Sequence, residues 1–280
     1  MTAWHALGRP LVLGHRGVRR PDGPPENTLA AIAEAERQGA DGVEVDARPC
    51  ADGELVVAHD PGLERVTSGR DGRAVAALSR RELGAVDLGG GEHVPTLLAV
   101  LDHCRARGLA LNVELKHDVP DRRALVVAAA RALGGHDPAH PLLVSSFDPV
   151  MLLGLRLLLP RQPVALLMHR DWPAGEPAQH ARPSLAARLP PSARRLVSRA
   201  ALAAVAAAAV HPERTLVTAA SVRAWQARGL RVHVWTVDAA AEVRDLHHLG
   251  VDGFICDAPE QVRATLDALG STAHERRATP

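Results

Sequence analysis

Glu44 and Asp46 stand two positions apart in the strand-like run Gly42–Ala47, and His59-Asp60 close the next such run, Glu54–Ala58. Between the runs lies a turn carrying Asp52-Gly53. So short a connection joins antiparallel neighbours and not parallel ones, which predicts a hairpin. On an extended strand, positions two apart face the same side, so both carboxylates point together. Two converging carboxylates and an imidazole suit a metal-assisted acid/base site far better than a core.

Other residues extend the set. Glu114 and Lys116 have the same two-position spacing in the run Asn112–Lys116, and His15-Arg16 close the run Leu11–His15. A lone strand-end glutamate usually makes a surface ion pair, and a lone histidine is usually solvated; the argument rests on the group. Three carboxylates at one place repel unless a cation neutralises them. An all-oxygen donor set at Glu44, Asp46 and Glu114 suits one divalent ion, Mg²⁺ or Ca²⁺, rather than Zn²⁺. His15 and His59 are candidates for proton transfer near neutral pH. Arg16 and Lys116 add positive charge beside the carboxylates, as needed to hold an anion with more than one negative oxygen, and phosphate fits. Lys116 is also the one lysine in a chain whose other basic residues are all arginine, and the two cations differ as phosphate partners.

Strand-like runs at 11–15, 42–47, 109–115, 142–145, 164–168, 206–211, 231–236 and 253–256 alternate with helical patterns. Eight such units predict a (β/α)8 TIM barrel. An open doubly wound sheet usually carries a glycine-rich phosphate loop after its first strand, and none is present. Between Pro61 and Pro95 the pattern weakens, so a small inserted subdomain is expected after the second strand, at about 61–94. Residues 1–270 read as one domain, with a polar, disordered tail at 271–280. Barrel active sites form at the C-terminal ends of strands, which is where His15, Arg16, Glu44, Asp46, Glu114, Lys116 and Trp235 fall. The proline- and arginine-rich segment 169–199 follows the fifth strand; it is either a lid selecting the alcohol part of a substrate or a variable surface loop.

Composition excludes some classes. With 280 residues, a formal net charge of +1 and 2% aromatic residues, nothing favours a nucleic-acid partner. The cysteines Cys50, Cys104 and Cys256 have no metal-ligand spacing and read as free thiols of a reducing compartment. No signal peptide is evident, and Val150–Leu159 is too short to span a bilayer. The expectation is a cytoplasmic enzyme with a small-molecule partner and no stable membrane insertion.

The ordered motifs GHRG (Gly14–Gly17), PENTLAAIAEA (Pro25–Ala35), GADGVEVDARPCADGELVVAHD (Gly39–Asp60), LERVTSGRDG (Leu63–Gly72), VPTLLAVLD (Val94–Asp102), LNVELK (Leu111–Lys116), SSF (Ser145–Phe147), VHVWTVD (Val232–Asp238) and GVDGFICDAP (Gly250–Pro259) closely resemble the glycerophosphodiester phosphodiesterase family. The resemblance covers about residues 10–269. It implies a TIM barrel that hydrolyses glycerophosphodiesters to an alcohol and sn-glycerol 3-phosphate. It also implies one divalent metal on Glu44, Asp46 and Glu114, acid and base at His15 and His59, and phosphate contacts from Arg16 and Lys116. Trp235 matches an aromatic near the substrate pocket, although packing at the barrel mouth would serve as well. Cys50 and Cys256 depart from the family, which often has threonine there. Several points stay open: the order in which the histidines act, and whether water or the neighbouring glycerol hydroxyl attacks. A lysophospholipase D type substrate is a further alternative, and an inactive phosphate-binding barrel a more distant one. Asp60 either orients His59 or shapes the turn.

Overall fold

The computed structural model describes residues 3–7, 10–170 and 191–278. Its strands are β1 (Leu11–His15), β2 (Gly42–Pro49), β3 (Leu55–Val57), β4 (Ala110–Leu115), β5 (Leu142–Ser146), β6 (Val164–Met168), β7 (Ala209–Pro212), β8 (Arg231–Val234) and β9 (Gly253–Cys256). β4, β5 and β6 are buried along their whole length. A strand covered by helices on one face and barrel interior on the other has no wet face; β6 accordingly runs apolar throughout, while β4 carries buried Asn112 and Glu114 and β5 ends on buried Ser145 and Ser146.

β1 pairs in parallel with both β2 and β9, and the order continues β9-β8-β7-β6-β5-β4-β2. The ring is therefore closed: an eight-stranded parallel TIM barrel with helices between the strands. β3 stands outside the ring, antiparallel on β2 with Ala47 opposite Val57, as the Asp52-Gly53 turn predicts.

The helices are α1 (Ala3–Ala6), α2 (Leu29–Arg37), α3 (Arg80–Leu83), α4 (Leu97–Arg107), α5 (Arg122–Leu133), α6 (Pro149–Leu158), α7 (Pro191–Ala204), α8 (Ala219–Gln226), α9 (Ala240–His248) and α10 (Pro259–Ala278). Their starts are encoded locally. Thr28, Thr96 and Asp148 each accept a hydrogen bond from a backbone N–H of the first turn of α2, α4 and α6, satisfying donors with no intrahelical partner.

Among the described residues, apolar side chains pack in three groups. The largest lies between strands and helices; a second fills the barrel, where Leu11, Leu13, Leu143 and Ile255 meet Trp4 of α1. Trp4 is fully buried, edge-on to His233 at 5.7 Å. A third group, including Val56, Leu63, Val75, Leu78 and Leu83, gives residues 61–94 a small core of their own against β3. Gly42 is required by close approach: a Cβ there would fall 2.2 Å from the Ala110 carbonyl oxygen.

Some element boundaries differ from expectation. The strand expected at 206–211 is β7, Ala209–Pro212, because α7 persists to Ala204 and the chain turns at Ala206 with φ 47°. An unbroken alanine run has no hydrophobic contrast to reveal its period. β8 ends at Val234, so Trp235 lies just past the strand. α10 runs to Ala278, past the expected domain end at 270, with its side chains from 271 outside the described residues. Most of the segment 169–199, read from the sequence as either a lid or a variable surface loop, also lies outside them.

Candidate active site

Register brings the acidic residues together on adjacent levels. His15 is the Cα partner of Glu44, and Asp46 of Glu114. One ligand oxygen from each of Glu44, Asp46 and Glu114 lies within 4.8 Å of the others, and all three side chains are buried. Lys116, just past the end of β4 and wholly buried, places Nζ 3.1 Å from Glu114 Oε1 and 3.4 Å from Asp46 Oδ1. Asn27 clasps Asp46 twice: Nδ2 donates to Oδ2 at 2.9 Å, and Oδ1 accepts from the Asp46 N–H at 3.2 Å.

The chain leaves β1 by a left-handed step, with φ 55° at Arg16 and 81° at Gly17. That step aims the Arg16 N–H at Glu44 Oε2, 3.1 Å away. Its guanidinium lies over the cluster, with Nε 3.3 Å from Asp46 Oδ2. Gly17 is needed as well, since a Cβ there would lie 2.5 Å from the Ala31 carbonyl carbon.

These contacts divide the charge unevenly. Burial would raise Asp46, but Lys116, Arg16 and His59, helped by the Asn27 amide, hold it well below the usual carboxylate range. Burial and then the neighbouring charges of Asp46 and Glu114 push Glu44 well above it. Glu44 Oε1 is also buried with no hydrogen-bond partner among the described residues. A divalent cation would relieve both the repulsion and the orphaned oxygen, and a hard, all-oxygen set matches one.

Each histidine has its own aspartate. His15 Nδ1 lies 2.6 Å from Asp257 Oδ1, and its Nε2 3.9 Å from Glu44 Oε2. Burial pulls the His15 pKa down, partly offset by the Asp257 hydrogen bond. His59 Nδ1 lies 2.7 Å from Asp60 Oδ1. Burial would raise Asp60, but His59 and Arg65 hold it well below its ordinary value. The His59 backbone is fixed too: Arg48 Nε donates to its carbonyl at 2.8 Å, while Arg48 Nη2 reaches Asp118 at 2.7 Å.

Trp235 sits at the mouth. Its Nε1 donates to the His211 carbonyl at 2.8 Å, and its ring meets Phe147 edge-on at 5.7 Å. Phe147 in turn meets His169 at 5.5 Å, so Trp235 belongs to a packed aromatic group.

A buried carboxylate triad, two His–Asp pairs and an arginine at the C-terminal mouth of a barrel are suited to phosphoryl chemistry. The family model described as the Glycerophosphoryl diester phosphodiesterase family matches residues 15–261. The chain belongs to this family. It is a phosphoric diester hydrolase. The glycerophosphodiester phosphodiesterase of Caldanaerobacter subterraneus subsp. tengcongensis is 27% identical over 261 residues, covering 89% of this chain and 95% of the relative. Among solved structures, an Oleispira antarctica phosphodiesterase in complex with the product sn-glycerol-3-phosphate aligns with a TM-score of 0.78 at 26% identity, covering 95% of this chain and 100% of that one. A glycerophosphodiester phosphodiesterase from Agrobacterium tumefaciens aligns with a TM-score of 0.67 at 29% identity, covering 91% and 99%.

Four residues of this phosphodiesterase were not singled out by sequence reasoning as part of the site: Glu26, Asn27, Arg65 and Asp257. Asp257 follows the last barrel strand and obeys the same strand-end rule as the others. Glu26 and Asn27 stand in the loop between β1 and α2, and Arg65 in the segment after β3, where no periodicity points to a partner.

Proposed function

We propose that this phosphodiesterase hydrolyses glycerophosphodiesters to an alcohol and sn-glycerol 3-phosphate, with one divalent cation, Mg²⁺ or Ca²⁺, on Glu44, Asp46 and Glu114. The observation that carries this reading is the triad of carboxylate oxygens within 4.8 Å, flanked by two histidines whose Nδ1 atoms each face an aspartate. When bound, the cation supplies Lewis-acid stabilisation of the charge that grows on the phosphate. Arg16 binds phosphate oxygens alongside, and Lys116 adds its charge through Glu114 and Asp46.

Holding Nδ1 on a carboxylate leaves Nε2 as the atom that exchanges a proton with substrate. One histidine takes the proton of the attacking oxygen as the new P–O bond forms. The other protonates the leaving alkoxide as its P–O bond breaks, and in-line displacement needs them on opposite sides of phosphorus. The attacking oxygen is that of water, or the glycerol hydroxyl next to the phosphate followed by water on the cyclic product. Among the described residues no helix is long and apolar enough to cross a membrane, and the three cysteines are free and buried; both fit a cytoplasmic enzyme.

The test is turnover of a glycerophosphodiester panel by chelator-stripped protein, with Mg²⁺, Ca²⁺ or Mn²⁺ added back singly. Activity on glycerophosphocholine restored by Mg²⁺ or Ca²⁺ supports the reading. Activity confined to lysophosphatidylcholine would reassign the substrate, and activity unaffected by stripping would remove the cation.

A further inference from the structure

Glu26 is a nearly buried carboxylate on which three guanidiniums converge. Its Oε1 accepts from Arg16 Nη1 at 2.8 Å and from Arg65 Nη2 at 2.7 Å; its Oε2 accepts from Arg65 Nη1 at 3.0 Å and lies 3.2 Å from Arg19 Nε. Each arginine also reaches a second carboxylate. Arg16 Nε is 3.3 Å from Asp46 Oδ2, Arg65 Nε is 2.5 Å from Asp60 Oδ2, and Arg19 Nη1 is 3.4 Å from Asp257 Oδ2. Asp60 and Asp257 are the carboxylates at Nδ1 of His59 and His15.

The three routes share one origin and end on three parts of the site. Isolated exposed ion pairs contribute little, but forked arginine contacts joined in a network hold geometry. Arg65 is set on a prepared turn: Leu63 and Thr67 are buried, and Thr67 Oγ1 donates to the Leu63 carbonyl at 2.8 Å while accepting from the Asp71 N–H at 3.0 Å. Its contacts are forked and short, whereas those of Arg19 are single and longer.

We propose that Glu26 is a positioning residue that ties both histidine–aspartate pairs and Arg16 into one frame, acting on His59 through Arg65 and on His15 through Arg19. The proposal rests on the acid/base roles given above to His15 and His59. Lysine at position 65 would keep the charge but not the fork that spans Glu26 and Asp60.

The experiment combines kinetics with crystal structures of the metal-loaded wild type, Glu26→Gln and Arg65→Lys. Both variants should lose roughly ten- to a hundredfold in kcat, the scale of a misplaced reacting group, with KM rising more in Glu26→Gln because Arg16 is released too. Glu26→Gln combined with Asp60→Asn should cost less than the product of the single losses, since one route carries both. In the crystals, Arg65 should leave Asp60 and the His59 ring should turn. Wild-type kinetics in a folded Glu26→Gln, fully multiplicative losses, or unmoved rings would each overturn the proposal. Should Glu26→Gln fail to fold, Arg65→Lys, at a half-exposed side chain, decides the same question. An inactive wild type would sink the phosphodiesterase reading alone, because ring and guanidinium positions still decide the positioning role.

Discussion

His15 Nδ1 and Asp257 Oδ1 lie 2.6 Å apart although 242 positions separate them. The first and last barrel strands are neighbours only because the ring closes, so barrel closure assembles this pair. Asp257→Asn keeps the shape but removes the negative charge and lets an amide N–H face Nδ1, which favours the wrong imidazole tautomer. We expect kcat to fall by about a hundredfold or more with KM little changed, read from steady-state kinetics. An unchanged kcat would show that the aspartate does not set the ring.

Replacing either histidine removes a proton-transfer group outright. His15→Ala and His59→Ala should each lower turnover by roughly 10²–10⁴-fold. The double variant should be little worse than the more damaging single one, because the two act on one displacement. Near-normal activity in either single variant would end that residue's assignment.

Cation binding should also register as stability. The crowded carboxylates of Glu44, Asp46 and Glu114 repel in the folded chain and separate on unfolding, so a bound divalent ion favours the fold. At a hundredfold excess over its dissociation constant the ion is worth about 2.7 kcal/mol, a rise of several degrees in the unfolding midpoint by calorimetry. Glu114→Gln should remove most of that rise. An equal rise in the variant would place the ion elsewhere.

His211 governs part of the acid response. It is fully buried, and burial lowers its pKa from the ordinary 6.5 to about 3. Between those values the unfolded chain binds a proton that the folded chain refuses, so stability falls as pH drops from about 6.5 towards 3. One such group contributes up to about 1.4 kcal/mol per pH unit. Urea midpoints of wild type and His211→Gln across this range should converge towards acid pH. Parallel curves would assign the acid loss to other groups.

The sequence carries the frame of this protein more openly than its connections. Buried parallel strands announce themselves as apolar runs, and the Glu44/Asp46 and Glu114/Lys116 spacings fix which face they share. Asp60 could be connected with His59 because they are adjacent. Arg65 and Glu26 meet across 39 positions, and nothing local in either stretch requires the other. β7 starts three residues later than the sequence suggests for a different reason: an alanine run has no alternation of polar and apolar residues to mark where the helix gives way to the strand.

Lys116 is the chain's one lysine and is wholly buried against Asp46 and Glu114. Apart from a chain terminus, the folded surface therefore presents no primary amine. Acylating reagents and lysine-directed crosslinkers should leave the native enzyme side chains untouched and find Lys116 only when the barrel mouth comes apart. Mass spectrometry of timed labelling would then follow the opening of this one place in the molecule, with the rest of the chain silent.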